Sequence, residues 1–169
     1  MKDKIRFLLA TAFGLGMMPL VPGSWGALLG VAWHAVAWLN HWIALDVKLW
    51  CLTGIALFSA IHWLLTPWAQ KRFNDPDPKN FVLDEVVGYL CVPVFTILPP
   101  ETTIAAGERW PWGYIVAAFV IFRILDAIKL PGARYVDRNI HNAFGVLFDD
   151  VISAAYTAAI LSAYAFAVR

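Results

Sequence analysis

FVIFRILDAIKLPGARYVDRNIHNAFGVLFDD, residues 119–150, decides the reading of this chain. It opens in apolar sequence. Arg123, Asp126 and Lys129 then follow at three-residue spacing, which places them on one face of a helix. Arg134, Asp137, Arg138 and His141 come next, and Asp149 and Asp150 close the stretch before apolar sequence resumes. Charges held between two apolar segments are costly near lipid. They are usually paired, and they mark functional sites by default.

The composition sets the context. The chain has 169 residues, the size of one domain, of which 60% are hydrophobic and 15% charged. Mean hydropathy is +0.64. Soluble domains are nearer half apolar and a quarter charged. With nine Trp, this points to an all-α integral membrane protein, a small polytopic bundle occupying residues 1–169. A net charge of +1 and the lack of a basic stripe argue against nucleic acid. Cys51 and Cys91 stand alone in apolar segments and read as small buried hydrophobes.

In chain order, MKDKIRFLLATAFGLGMMPLV mimics a signal peptide, but no A-x-A-like site follows and the next segment is again apolar. Phe7 to Met18 is too short to span, because a crossing helix needs about 20 residues. An interfacial or re-entrant segment is expected. Gly14 to Gly26 is broken by Gly and Pro. Ser24 is placed to cap a helix beginning near Trp25. This stretch reads either as a turn feeding the first span or as a helix N-terminus facing an anion. Spans are then expected at 25–45 and at 49–66, the second ended by Pro67. His34, His41 and His62 read as packing or interfacial residues. The DPDP sequence, Asp75 to Pro78, reads as a Pro-rich turn. A third segment carries Asp84 and Glu85 at its mouth and ends at Pro99 and Pro100. It either starts before Asp84 or stops partway. Trp112 to Ile128 and Val151 to Val168 complete about five membrane segments, the last rich in Ala and Ser that allow close approach.

Lys and Arg then orient the chain. With a cytoplasmic N-terminus, nine lie inside: Lys2, Lys4, Arg6, Lys71, Arg72, Lys79, Lys129, Arg134 and Arg138. Lys48, Arg109 and Arg169 lie outside. This fits the positive-inside rule, and Trp42, Trp50, Trp110 and Trp112 then form an outer belt. The same topology brings Asp84, Glu85, Asp126, Asp137, Asp149 and Asp150 to the inner face. Crowded carboxylates need shared cations, and oxygen-rich sites suit Mg²⁺. Arg and Lys nearby suit phosphate oxygens. Acids and bases at a lipid–water boundary thus point to metal-assisted chemistry on a phosphorylated lipid.

PGSWGALLG (22–30), LDEVVGY (83–89), FRILDAIK (122–129) and YVDRNIHNAFGVLFDD (135–150) together resemble the bacterial phosphatidylglycerophosphatase A enzymes. The resemblance implies a Mg²⁺-dependent enzyme of the bacterial inner membrane, its site facing the cytoplasm. It would hydrolyse phosphatidylglycerophosphate to phosphatidylglycerol and phosphate. By position it implies acidic site residues at Asp84, Glu85, Asp126, Asp137, Asp149 and Asp150, and basic ones at Arg123, Lys129 and Arg138. The expected metal ligands are Asp84, Glu85, Asp149 and Asp150, with Asp126 beside them. Lys129 and Arg138 are expected to clamp phosphate, assisted by Arg123. Asp137, Ser24 and His141 are supporting candidates, His141 as a proton donor. Two positions depart from the family pattern: Leu130 precedes Pro131 where Pro usually follows the Lys, and Asn142–Ala143 replaces a usual Gly-Gly. The competing readings are a metal-dependent phospho-alcohol transferase and a non-catalytic carrier. A carrier would need polar residues along its spans, whereas here the charges gather at one end.

Overall fold

The computed structural model describes residues 2–40, 42–98 and 112–168. His41, Pro99, Pro100, Arg109, Trp110 and Arg169 fall outside the described residues. Within them the chain is helical: α1 (Lys2–Ala10), a 3-10 turn (Leu15–Met17), α2 (Pro22–Leu39), α3 (Ala44–Phe73), α4 (Leu83–Phe95), α5 (Trp112–Ile128), α6 (Ala133–Asn139) and α7 (Ala143–Ala167). Among the described residues two helices, α3 and α7, are long and apolar enough to cross a membrane.

The short helix α4 is the axis of the bundle. It packs against α7, α3, α2 and α5. Every residue from Val86 to Pro93 is buried. A helix that is apolar all round belongs inside, so α4 is the core around which longer helices wrap. At 13 residues it is about 20 Å long. It begins at Leu83, one residue before Asp84, and ends at Phe95, four residues before Pro99. Glycine makes the close packing possible. A Cβ on Gly88 would lie 2.7 Å from Phe122 Cζ and 2.8 Å from Asp150 Cβ. Gly26 and Gly30 bring α2 equally close to Val82 and Val86. On α7, Ser153, Ala154, Thr157 and Ala158 are buried. The two hydroxyls donate back to the Asp149 and Ser153 carbonyls, so they bring no unsatisfied group into the core.

Helix α5 separates two faces at helical spacing. Ile115, Ala118, Phe122 and Asp126 are buried. Val116, Val120, Ile124 and Ile128 form an exposed stripe. Leu57, Trp63 and Leu64 on α3 are exposed as well. Apolar side chains outward and carboxylates inward is the arrangement a lipid environment favours.

Several boundaries differ from the expectations. Ser24 does not cap α2: the helix starts at Pro22, with Val21 at the cap. Proline is pre-organised for the first helical position and lacks the N–H that would be orphaned there. Pro67 does not end α3, which continues to Phe73. Leu65, Thr66 and Ala69 stay packed across it, and Thr66 Oγ1 donates to the His62 carbonyl at 2.7 Å. α2 ends at Leu39, short of residue 45. α7 starts eight residues before Val151 because Asn142 caps it, accepting from the Phe144 and Gly145 N–H groups at 3.1 and 3.0 Å. The bounds of α5 match the expected 112–128.

The bundle has two chemically distinct ends. At one, Lys48 donates to the Thr96 carbonyl, Trp38 meets Trp112 at 4.0 Å, and Trp42 packs edge-on against Trp50 at 5.6 Å. At the other, Phe7 of α1 meets Phe73 at 6.3 Å, and Gln70 Nε2 donates to the Pro76 and His141 carbonyls. The acids of the central helices gather at this second end.

Candidate active site

Three helices and one loop deliver the acidic residues to one place. α4 carries Asp84 and Glu85 in its first turn, where the helix dipole favours negative charge. Asp126 lies near the end of α5, on its buried face. Asp149 and Asp150 lie two turns inside α7, not at its opening as expected, and both are buried. Gly88 lets Asp150 approach α4. One carboxylate oxygen from each of Asp126, Asp149 and Asp150 lies within 4.8 Å of the others.

The basic residues divide into different roles. Lys129 is the hub. It ends α5 with a left-handed backbone, φ +53°, which is uncommon outside glycine and tends to persist at functional positions. Its Nζ lies 3.3 Å from Asp126 and 3.5 Å from Asp137, and also donates to Asp149. Burial works against its charge, but Asp150, Asp126 and Asp149 outweigh that and hold its pKa above the ordinary lysine value. Arg123 is largely buried and pairs with Asp126 at 2.9 Å and Glu85 at 3.8 Å. It therefore holds two carboxylates together from behind. A Cβ on Gly23 of α2 would overlap the Glu85 carboxylate and lie 2.8 Å from Arg123 Nη2, so α2 closes tightly over this pair.

These groups line a cavity of about 310 Å³. Asp84, Glu85, Asp126, Lys129, Asp149 and Asp150 form its polar wall. Leu20, Val21, Pro22, Gly23 and Phe81 form an apolar wall, and Asp77, Pro78 and Lys79 come from the loop before α4. Asp137 and His141 line a smaller neighbouring pocket together with Asp77 and Asp149. Arg138 lines neither cavity and is exposed, so the structure does not bring it to the carboxylates. Ser24 also lines neither.

Asp77 was not among the expected site residues. The DPDP segment is indeed a turn, with the Asp77 N–H donating to Asp75 Oδ1 at 3.0 Å. The turn also sets Asp77 at the mouth of both cavities. Its signal was an extra acid only seven residues before Asp84 on the same expected membrane face.

The donor set suits a hard divalent cation. Asp84 Oδ1 and Asp150 Oδ2 are buried with no hydrogen-bond partner. A buried anionic oxygen without a donor calls for a cation or a proton. Carboxylate oxygens are the ligands Mg²⁺ prefers, and the space beside them leaves room for water and a phosphate oxygen.

An apolar helical bundle, with buried carboxylates from three helices beside Lys129 and Arg123 around a cavity, has the make-up of a membrane-associated enzyme. The comparisons with known proteins specify it further. The profile of the phosphatidylglycerophosphatase A family matches residues 8–165, and the chain belongs to that family. It is a phosphoric monoester hydrolase. Two similar proteins are named phosphatidylglycerophosphatase A. One, from Haemophilus influenzae, is 34% identical over 92% of this chain and 86% of its own length. The other, from Escherichia coli, is 32% identical over 91% and 80%. A Bacteroides thetaiotaomicron protein, provisionally named a phosphatidylinositol-3-phosphatase, is 32% identical over 89% of this chain and 87% of its own length. No solved structure matches.

Proposed function

We propose that this enzyme is a Mg²⁺-dependent lipid phosphatase that hydrolyses phosphatidylglycerophosphate to phosphatidylglycerol and phosphate. It does so at the cytoplasmic face of the bacterial inner membrane, as a multi-pass protein of about five membrane segments. The observation that carries the reading is the meeting of Asp126, Asp149 and Asp150 within 4.8 Å, beside Lys129 and a cavity. The names of the two phosphatidylglycerophosphatase relatives supply the substrate.

Asp126, Asp149 and Asp150 would hold Mg²⁺, with Asp84 adjacent in the cavity wall. Asp126, expected beside the ligands, lies with Asp149 and Asp150, and Glu85 lines the same cavity with Arg123 3.8 Å away. When bound, the ion withdraws charge from a phosphoryl oxygen as a Lewis acid. The chain's own groups do the rest. Lys129 offers its ammonium to the phosphate and offsets the acids around it. Arg123, 2.9 Å from Asp126, holds it in place. Asp84, with its Oδ1 unpartnered, accepts the proton of the attacking water. The water oxygen bonds to phosphorus, the P–O bond to glycerol breaks, and the departing alkoxide takes a proton from solvent. The site-end cations, from Lys2 to Arg138, favour the cytoplasmic side.

Phosphate release by the detergent-purified protein tests this. Mg²⁺ should support release from phosphatidylglycerophosphate, and EDTA should abolish it. Phosphatidic acid and phosphatidylinositol 3-phosphate in place of the first lipid show how strictly the head group is read. No release from demonstrably folded protein would overturn the proposal.

A further inference from the structure

The cavity has one wall that phosphoryl chemistry does not use. Leu20 and Val21 line it, yet Leu20 is 96% exposed and Val21 is 53% exposed. Phe13 (71%), Met17 and Met18 continue the exposed apolar run. Leu20 and Phe13 both hold left-handed backbones, φ +83° and +60°. That conformation is disfavoured for side chains of this size, and in water neither residue gains burial in return. The segment is nevertheless held firmly from behind. Asn80 Nδ2 donates to the Gly16 carbonyl at 2.7 Å, the Val82 N–H donates to the Ala10 carbonyl at 3.4 Å, and the Gly14 N–H donates to Thr11 Oγ1 at 3.1 Å. A Cβ on Gly16 would overlap the Asn80 carbonyl, so the contact depends on glycine. The backbone is thus fixed with its apolar side chains turned outward.

We propose that residues 13–21 form a lip inserted into the bilayer, over which a lipid phosphomonoester passes its head group into the cavity while its acyl chains remain in the membrane. The proposal rests on the lipid-phosphatase reading above and identifies how that substrate reaches the site. Two further features favour lipid as the occupant. The lip is apolar where it meets solvent, while the opposite cavity wall is charged, and this polarity matches an amphiphile with a phosphate head. Directly before the lip, α1 exposes Lys2, Lys4 and Arg6 beside Ile5 and Leu8. A short basic amphipathic helix of this kind lies in the interface of an anionic membrane.

A fluorescent thiol probe decides it. Cys51 and Cys91 are buried, so the Leu20→Cys protein presents one accessible thiol. The labelled protein is reconstituted in phosphatidylcholine–phosphatidylglycerol vesicles. Its emission should shift to the blue and be quenched by lipids brominated in their acyl chains, with iodide ineffective. An Asp75→Cys label, on the exposed polar turn that carries Asp77, should behave oppositely. Phe13→Cys repeats the reading should Leu20→Cys fold poorly. Iodide quenching at 13 and 20 matching that at 75, with no effect of brominated lipid, would overturn the lip. Phosphate release from the parent protein is scored separately. Release with an aqueous label at 20 removes the lip alone. A membrane-buried label with no release removes the phosphatase reading and leaves the membrane contact standing.

Discussion

Asp150→Asn separates a metal site from a structural ion-pair cluster, because the two predict different changes in stability with and without Mg²⁺. Asp150 shares a 4.8 Å cluster with Asp126 and Asp149. At that separation and an effective dielectric near 20, each like-charged pair costs about 3.5 kcal/mol. Lys129 and Arg123 offset part of this, since both pair with Asp126 and Lys129 also pairs with Asp149. Asn keeps the shape of Asp, so the contact with Gly88 survives. Without metal, a proton held among the three carboxylates relieves most of this repulsion, so Asn in place of Asp150 should change stability by under about 1 kcal/mol. With Mg²⁺ at a hundredfold excess over its Kd, the unsubstituted protein gains about 2.7 kcal/mol; a tenfold loss of affinity cuts this to about 1.4. The Asp150→Asn protein should therefore melt close to the parent protein in EDTA, gain less from Mg²⁺, and release no phosphate. Thermal unfolding in detergent, with EDTA and then Mg²⁺, measures all of this. If Asp150→Asn lowers Tm in EDTA and leaves the Mg²⁺ shift unchanged, the carboxylates are ion-pair partners of Lys129 and the metal assignment fails.

Three other outcomes follow from the same geometry. Lys129→Met strips the shared cation from Asp126 and Asp149 and should destabilise the metal-free protein by about 3 kcal/mol; Mg²⁺ should restore much of the Tm without restoring kcat. Arg138→Ala, at an exposed position away from both cavities, should change activity less than twofold or so and stability by under about 0.5 kcal/mol; a large fall in kcat would return Arg138 to the phosphate clamp. Asn142→Ala removes the cap of α7 and should cost about 1 kcal/mol in chemical or thermal unfolding, with KM for phosphatidylglycerophosphate little altered.

Asn142 also shows how a family departure can be read physically. The pattern's Gly-Gly is replaced here by Asn142–Ala143, and the Asn side chain supplies two hydrogen bonds that start α7. The helix so begun carries Asp149 and Asp150, both buried. At Ser24 the local signal misled, because a proline two residues earlier competed for the helix start and won. Pro67 removes a backbone donor from α3, but side chains packed on both sides of it carried the helix through. Helix termini are decided by small differences between caps, and tertiary packing readily shifts them by a turn or two.

The amino-acid sequence by itself determined that this is an apolar, all-helical protein, where α5 runs, and that six acids share one end of the bundle. Those properties follow from hydropathy, from periodicity and from the position of each charge relative to the apolar runs. They do not depend on which helix touches which. The tertiary structure alone decided how the charges divide. It set Arg123 between Asp126 and Glu85, made Lys129 the hub of Asp126, Asp137 and Asp149, left Arg138 outside, and brought in Asp77 from a turn. Those assignments depend on ångström distances between segments far apart in sequence. The distances are set by glycines such as Gly23 and Gly88, where one added methyl group would push the helices apart.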